Sequence, residues 1–269
     1  MSVDLTAASS LAPAERAALF TAGYEGYLLP FQVDEPALLF MEHAFDLDPD
    51  ASLVASVEGE RIGLANLGLR GADGWVGGIG IVPGHRGSGH GEALMLALVD
   101  AARDRGVERL WLEVIVENTA ALRLYEKLGF AHVRELEVWS LEELVAQSNY
   151  LPSADALGEA HALVRGRRAG REPWQRSDET LARLTELEPA PAGVLVEGGA
   201  AAVRVNVGRV NVVQLAADGH ETYLALLGAL RGLGAVSLLN LPEGDPTATA
   251  FEELGGTVVV RQHEMVLEL

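Results

Sequence analysis

The chain has 269 residues, 49 % of them hydrophobic and 22 % charged, enough for one large domain or two smaller ones with cores of their own. It contains no cysteine, which excludes disulfides, thiol nucleophiles and thiolate metal sites, and its seven histidines show no metal-ligand spacing, so no metal is expected and the chemistry falls to oxygen and nitrogen groups. A net charge of −19 argues against nucleic acid as a partner, and the lack of a basic, apolar leader or of an apolar run of roughly 18 residues predicts a cytoplasmic protein with no membrane association.

Taken in chain order, hydrophobic periodicity predicts helices near 13–27 and 34–46, strands near 52–58, 61–69 and 75–82, a helix over 87–105, a strand over 109–116, a helix over 119–128 and a strand over 131–140. The helix over 87–105 puts Leu94, Ala97, Leu98, Ala101 and Ala102 on one face and stops at Gly106. Asn118 is placed to cap the next helix, whose Ala121, Leu124, Tyr125 and Leu128 share a face, and Gly129 to end it in the left-handed conformation. This is an α/β pattern with a mostly sequential sheet, and two helix starts converge at one end of it.

Residues 141–192 change in texture, with Leu-Pro-Ser, Gly-Arg-Arg-Ala-Gly-Arg and Glu-Pro-Ala-Pro-Ala-Gly, and read as a connection between domains that contains some helix. The pattern then restarts with strands near 193–197, 201–206 and 209–215, a helix over 220–233, a strand over 235–240, a helix over 246–254 and a strand over 257–268. Tyr125-Glu-Lys-Leu-Gly129 lines up with Phe251-Glu-Glu-Leu-Gly255, and Gly106 with Gly234, so the chain reads as an internal repeat.

Between the strand ending at Val82 and the helix that follows stands His85-Arg86-Gly87-Ser88-Gly89-His90-Gly91. Alternate glycines let the backbone bend close to an anion, and the free N–H groups of a helix start then point at it, so this turn is a candidate phosphate cradle. The second copy has Leu215-Ala-Ala-Asp-Gly-His-Glu-Thr at this place, with an acid and one glycine, and has lost the cradle.

These parts together resemble the GNAT family of acyl-CoA-dependent N-acyltransferases. The family signature stands as Arg86-x-x-Gly89-x-Gly91, followed by Leu110-Trp-Leu-Glu-Val114 and by Asn118-Thr-Ala-Ala-Leu-Arg-Leu-Tyr-Glu-Lys-Leu-Gly-Phe130. The resemblance implies two tandem GNAT folds, each a mixed, mostly antiparallel sheet flanked by helices: a catalytic domain over 1–145 and a degenerate one over 146–269 that includes the connection to about 192. It implies acetyl-CoA as co-substrate, held by Arg86 and by backbone groups of Gly87, Ser88, Gly89, His90, Gly91 and Glu92. Main-chain groups of Ile79 and Ile81 would pair with the pantetheine arm, and Asn118 would contact the cofactor nearby.

Amine acylation needs a base for an ammonium of pKa about 10 and an acid for a thiolate of pKa about 8.5. The resemblance puts the acid at Tyr125, which could equally be a core residue with its hydroxyl at the rim. Glu113 is the candidate base, since the residues alternating with it, Leu110, Leu112, Val114 and Val116, read as the buried face of its strand; an ion pair with Arg61 or Arg109, the rival Glu117 and a water chain stay open. Gly77, Gly78 and Gly80 allow either a splayed strand, with an N–H near Ile81 for the oxyanion, or close packing on a helix.

The acceptor side reads Tyr24-Glu-Gly-Tyr27-Leu-Leu-Pro-Phe31 and Phe40-Met-Glu42-His43-Ala-Phe45-Asp46, an aromatic wall with acids that suits a cationic amine, or a core with a solvated face. Trp174-Gln175-Arg176 is a further candidate to reach that cleft. A small-molecule amine is the expected acceptor. A protein or peptide N-terminus, as in the GNAT enzymes that acetylate a ribosomal protein, and a non-catalytic CoA-binding interaction module are the alternatives.

Overall fold

The computed structural model describes residues 3–28, 31–144, 151–168 and 170–269. They form two compact units: Met1–Val133 with His263–Leu269, and Arg134–Gln262. The domain boundary expected at 145/146, and Leu29 and Pro30 of the expected acceptor wall, lie outside the described residues.

The first unit begins with a short edge strand, β1 (Asp4–Ala7), then α1 (Pro13–Gly23) and α2 (Glu35–Ala44). Three antiparallel strands follow, β2 (Leu53–Val57), β3 (Glu60–Arg70) and β4 (Asp73–Ile81), before α3 (His90–Arg103), β5 (Arg109–Ile115) and α4 (Thr119–Lys127). The strands lie in the order β1-β2-β3-β4-β5. Every pair in this order is antiparallel except β4 and β5, which are parallel and joined through α3.

β1 escaped the periodicity because its first three residues are exposed and carry no buried alternation. α1 is four residues shorter than expected. α3 starts at His90 rather than 87, because Gly87 and Gly89 take φ +77° and +84°, outside the helical region. Its buried stripe is Leu94, Met95, Leu98, Val99 and Ala102, which corrects the expected face by replacing Ala97 and Ala101 with Met95 and Val99. The stripe packs on one sheet face against Leu110, Leu112 and Val114, while Phe20 of α1 and Leu38 of α2 cover the other face over Val54 and Leu64. Each large side chain buried in this way contributes about 1.5–3 kcal/mol relative to exposure.

β6 (Ala131–Leu141) passes from the first unit into the second. There follow α5 (Leu157–Arg167), α6 (Asp178–Leu184), β7 (Ala192–Val196), β8 (Gly199–Asn206), β9 (Arg209–Ala217), α7 (His220–Arg231), β10 (Ala235–Pro242), α8 (Pro246–Glu253) and β11 (Thr257–Glu268), the last of which returns to the first unit from His263. Strands of the second unit lie in the order β6-β10-β9-β8-β7. As in the first unit, an antiparallel meander is followed by a helix and a parallel strand: β9 pairs β8 antiparallel and β10 parallel. Its core centres on Trp139 stacked on Phe251 at 5.4 Å, with Leu226, Leu227 and Leu230 of α7. The molecule is thus an α/β protein with mostly antiparallel strand pairing. Among the described residues no helix is long and apolar enough to cross a membrane.

Candidate active site

β4 and β5 are paired over Asp73–Trp75 and Arg109–Trp111, after which their pairing ends and leaves a gap between them. A bulge helps to open it: β4 spends three steps from Val76 to Ile79 where β3 spends two from Leu67 to Ala65. Gly78, inside the bulge, has φ +123°, and a Cβ there would lie 2.6 Å from the Phe20 ring and 2.9 Å from the Tyr24 hydroxyl. At Gly80 a Cβ would meet the Gly23 carbonyl oxygen at 2.8 Å, so α1 ends in backbone contact with β4.

The register fixes what β4 offers to the gap. Val82 donates to the Ile62 carbonyl at 2.8 Å, which makes Val82, and Gly80 two residues earlier, the hydrogen-bonded positions toward β3. Ile79 and Ile81 therefore turn their N–H and C=O groups away from β3, into the gap. Within the chain two of these are already engaged. The Ile79 main chain hydrogen-bonds the Tyr24 hydroxyl, and the Ile81 carbonyl accepts from Arg86 Nε at 2.7 Å.

Arg86 is where the structure departs from a direct anion contact. Besides Ile81, its Nη2 donates to the Gly23 and Glu25 carbonyls at 2.9 and 2.8 Å, so the guanidinium ties the end of α1 to β4. The turn beyond it bends at its glycines as the sequence predicts. Gly87 and Gly89 hold positive φ, the space where their side chains would stand is open, and the helical ladder first closes with Ala93 N–H on the Gly89 carbonyl at 3.0 Å. The amides before Ala93 lie ahead of that first bond, in the first turn of α3 and the loop that enters it. His90 begins α3, with its ring 6.2 Å from that of His85, and His85 lies 3.6 Å from Glu60.

Asn118 caps α4 by accepting from Ala121 N–H at 3.2 Å, and its amide donates to the Tyr27 hydroxyl at 3.3 Å. Gly129 ends that helix with φ +94°, as the sequence suggested. Tyr24, Tyr27, Ile79, Gly80, Ile81, Arg86, Glu117 and Asn118 line one cleft of about 440 Å³. Tyr125 stands behind it, buried and 5.8 Å from the Phe130 ring. Burial pushes its phenol above the ordinary tyrosine range, and nearby Tyr27 adds to the shift. Tyr24 is raised for the same first reason, then by Tyr125 and Tyr27, so the three phenols lie near one another, Tyr24 and Tyr27 lining the cleft and Tyr125 outside its lining.

Glu113 is not among the residues lining that cleft. It lies on the other face of β5 from Leu110, Leu112 and Val114, and its Oε2 accepts from Trp75 Nε1 at 2.8 Å. The two arginines considered as its partners are committed elsewhere, Arg61 to Glu15 at 2.7 Å and Arg109 to Asp73 at 2.9 Å. Sequence reading missed the bond of Trp75 to Glu113, that of Asn118 to Tyr27 and the main-chain bonds of Arg86. It also missed that His132 Nε2 and His263 Nδ1, 131 positions apart, come to 2.8 Å. The turn Trp174–Arg176 packs within the second unit, where Trp174 and Arg176 are buried and Arg176 donates to the Val213 and Asn240 carbonyls of β9 and β10.

Residues 19–130 match the model of the acetyltransferase (GNAT) family. Streptothricin acetyltransferase of Streptomyces lavendulae is 49 % identical over 53 residues, 20 % of this chain and 28 % of that protein. The [ribosomal protein bS18]-alanine N-acetyltransferase of Escherichia coli (strain K12) is 38 % identical over 82 residues, 30 % of this chain and 48 % of that protein. The chain therefore spans less than half the length of either relative. A tandem GNAT protein from the clavulanic acid biosynthesis pathway shares the fold with a TM-score of 0.65 over 99 % of this chain and 98 % of that one, at 14 % identity. Residues 19–130 thus carry the match to the acetyltransferase (GNAT) family, on a chain that shares its fold with a tandem GNAT protein.

Proposed function

We propose that the first unit transfers an acetyl group from acetyl-CoA to the primary amine of a small molecule, and that the second unit is a degenerate copy without that chemistry. The observation that carries the reading is the meeting, at one end of the parted strands, of a glycine turn with open sides and two residues presenting main-chain groups to the gap, with the buried Tyr125 near Tyr27 of the cleft. The residues fit the cofactor: amides from Gly87 to Glu92 suit a pyrophosphate, and Ile79 and Ile81 suit an extended amide-bearing arm. Acetyl-CoA, when bound, supplies the acetyl group and a thiolate leaving group.

In this reading Tyr125 holds its proton through the neutral range and gives it to the leaving sulfur. Glu113 takes the proton of the acceptor ammonium, and Trp75 orients its carboxylate. Glu117, exposed at the cleft with Asn118, is the rival base. Arg86 keeps α1 against β4, so that the aromatic wall of Tyr24, Tyr27 and Phe31, with ring centroids 4.5–5.0 Å apart from Tyr24, stays beside the cleft.

The likeness to streptothricin acetyltransferase supports a small-molecule amine, and that to the bS18-alanine N-acetyltransferase supports a peptide N-terminus as the second reading. A thiol-release assay over polyamines, aminoglycoside-type amines and peptides with free N-termini tests both. Turnover of small amines alone supports the first reading and turnover of peptides alone the second. Binding of acetyl-CoA without turnover on any acceptor favours a non-catalytic module.

A further inference from the structure

The second unit repeats the parting of strands but closes the gap differently. β9 and β10 are paired in parallel over Arg209–Val212 and Ala235–Leu238, and then separate. Into the separation goes the turn Trp174–Arg176: Arg176, 3 % exposed, donates from Nε to the Val213 carbonyl at 3.3 Å and from Nη1 to the Asn240 carbonyl at 3.4 Å. Gln214 Nε2 donates to the Arg176 carbonyl at 2.7 Å, and Asn240 Nδ2 to Gln175 Oε1 at 2.9 Å. The strand edges that would take an extended arm are thus occupied by the chain itself.

Beyond this plug, at the ends of the same strands, a cavity of about 520 Å³ stays open. Arg134, Arg167, Arg168 and Arg171 line it, beside Asp218 and Gly219 at the start of α7. Four of the chain's nineteen arginines are gathered here in a protein of net charge −19. Three of the four carboxylates in the lining are accounted for. Asp218 is held by Arg167 at 2.5 and 3.1 Å, Glu172 lies 3.4 Å from Arg176, and Asp245 caps α8 through Thr247 N–H; Glu243 is exposed. Arg168 makes a two-pronged pair with Asp178 at 2.8 and 2.7 Å. A guanidinium carries five N–H donors, so Arg167 and Arg168 keep donors beyond these pairs. α7 is preceded by Gly219 at its N-cap, with no side-chain cap, and its first turn adds backbone donors.

We propose that this cavity binds a compact, multiply charged oxyanion, recognised by the guanidinium N–H donors that Arg167 and Arg168 keep beyond their carboxylate pairs, by the positive charge of the lining arginines and by the start of α7, and too short to need the plugged gap. Diphosphates and small polycarboxylates share this chemistry. The test uses the full chain carrying Gly89→Glu, which blocks the glycine turn of the first unit, titrated calorimetrically with inorganic pyrophosphate and with citrate at low salt. Binding of either probe that falls about tenfold or more in an added Arg171→Glu, and likewise in an added Arg167→Gln, supports the site, and the preferred probe identifies the source of the oxyanion. Arg171 is exposed, and the thermal melt of each variant reports its folding. No binding of either probe, or binding unchanged in both folded variants, overturns the proposal. Acetyl-CoA binding by the otherwise wild-type chain with Arg171→Glu should be unaltered, which keeps this outcome separate from the function proposed for the first unit.

Discussion

Trp75 Nε1 donates to Glu113 Oε2 at 2.8 Å, joining two adjacent strands just where their backbones stop pairing. This bond gives the candidate base a fixed direction on the face of β5 opposite the α3 core. Glu113→Gln keeps an oxygen for Trp75 and removes the carboxylate, so its melting temperature should stay close to wild type. Its turnover should fall by about 10²-fold, with the pH profile altered. Trp75→Phe removes this donor to the half-buried Glu113 carboxylate and should cost about 1 kcal/mol in urea unfolding. If Glu117→Gln changes the pH profile and Glu113→Gln does not, the base is Glu117.

Gly78 can carry no side chain. With φ +123° and a Cβ 2.6 Å from Phe20, Gly78→Ala should destabilise the protein by about 1–3 kcal/mol through overpacking. It should also weaken acetyl-CoA binding, because Phe20 and Tyr24 must shift where Ile79 meets the Tyr24 hydroxyl. Urea unfolding and calorimetry on one preparation check both effects.

Tyr125 has a phenol raised by burial, so it stays protonated through the neutral range and can act as an acid there. Tyr125→Phe should leave acetyl-CoA binding intact and lower kcat by about 10²-fold. A group whose folded pKa lies above its unfolded value of about 10 adds stability below that value and loses it as pH rises toward the folded pKa. Tyr125→Phe should therefore show a smaller loss of stability above pH about 10 than wild type, read from urea unfolding across that range.

Much of this arrangement was legible in the chain because it is local. The glycine spacing of 87–91, the cap at Asn118 and the positive φ at Gly129 each depend on a few neighbouring residues, and the repeat is carried by aligned strands and helices. What stayed hidden depends on distance along the chain. Arg86 looks like an anion ligand in its motif, but its partners are the carbonyls of Gly23, Glu25 and Ile81. Trp75 and Glu113 are 38 positions apart. The return of His263–Leu269 to the first unit and the bonds of Arg176 to the carbonyls of β9 and β10 are long-range pairings that no local period encodes.

The central claim is that the glycine turn of the first unit holds acetyl-CoA, and the most direct measurement is calorimetric titration of acetyl-CoA into wild type and Gly89→Glu. Gly89 sits at φ +84° with open space beside it, so glutamate brings both strain and a negative charge to the cradle. The account predicts one site of about micromolar affinity in wild type, lost in the variant while its melt remains cooperative. Equal binding by both proteins, or no binding by wild type, would contradict it.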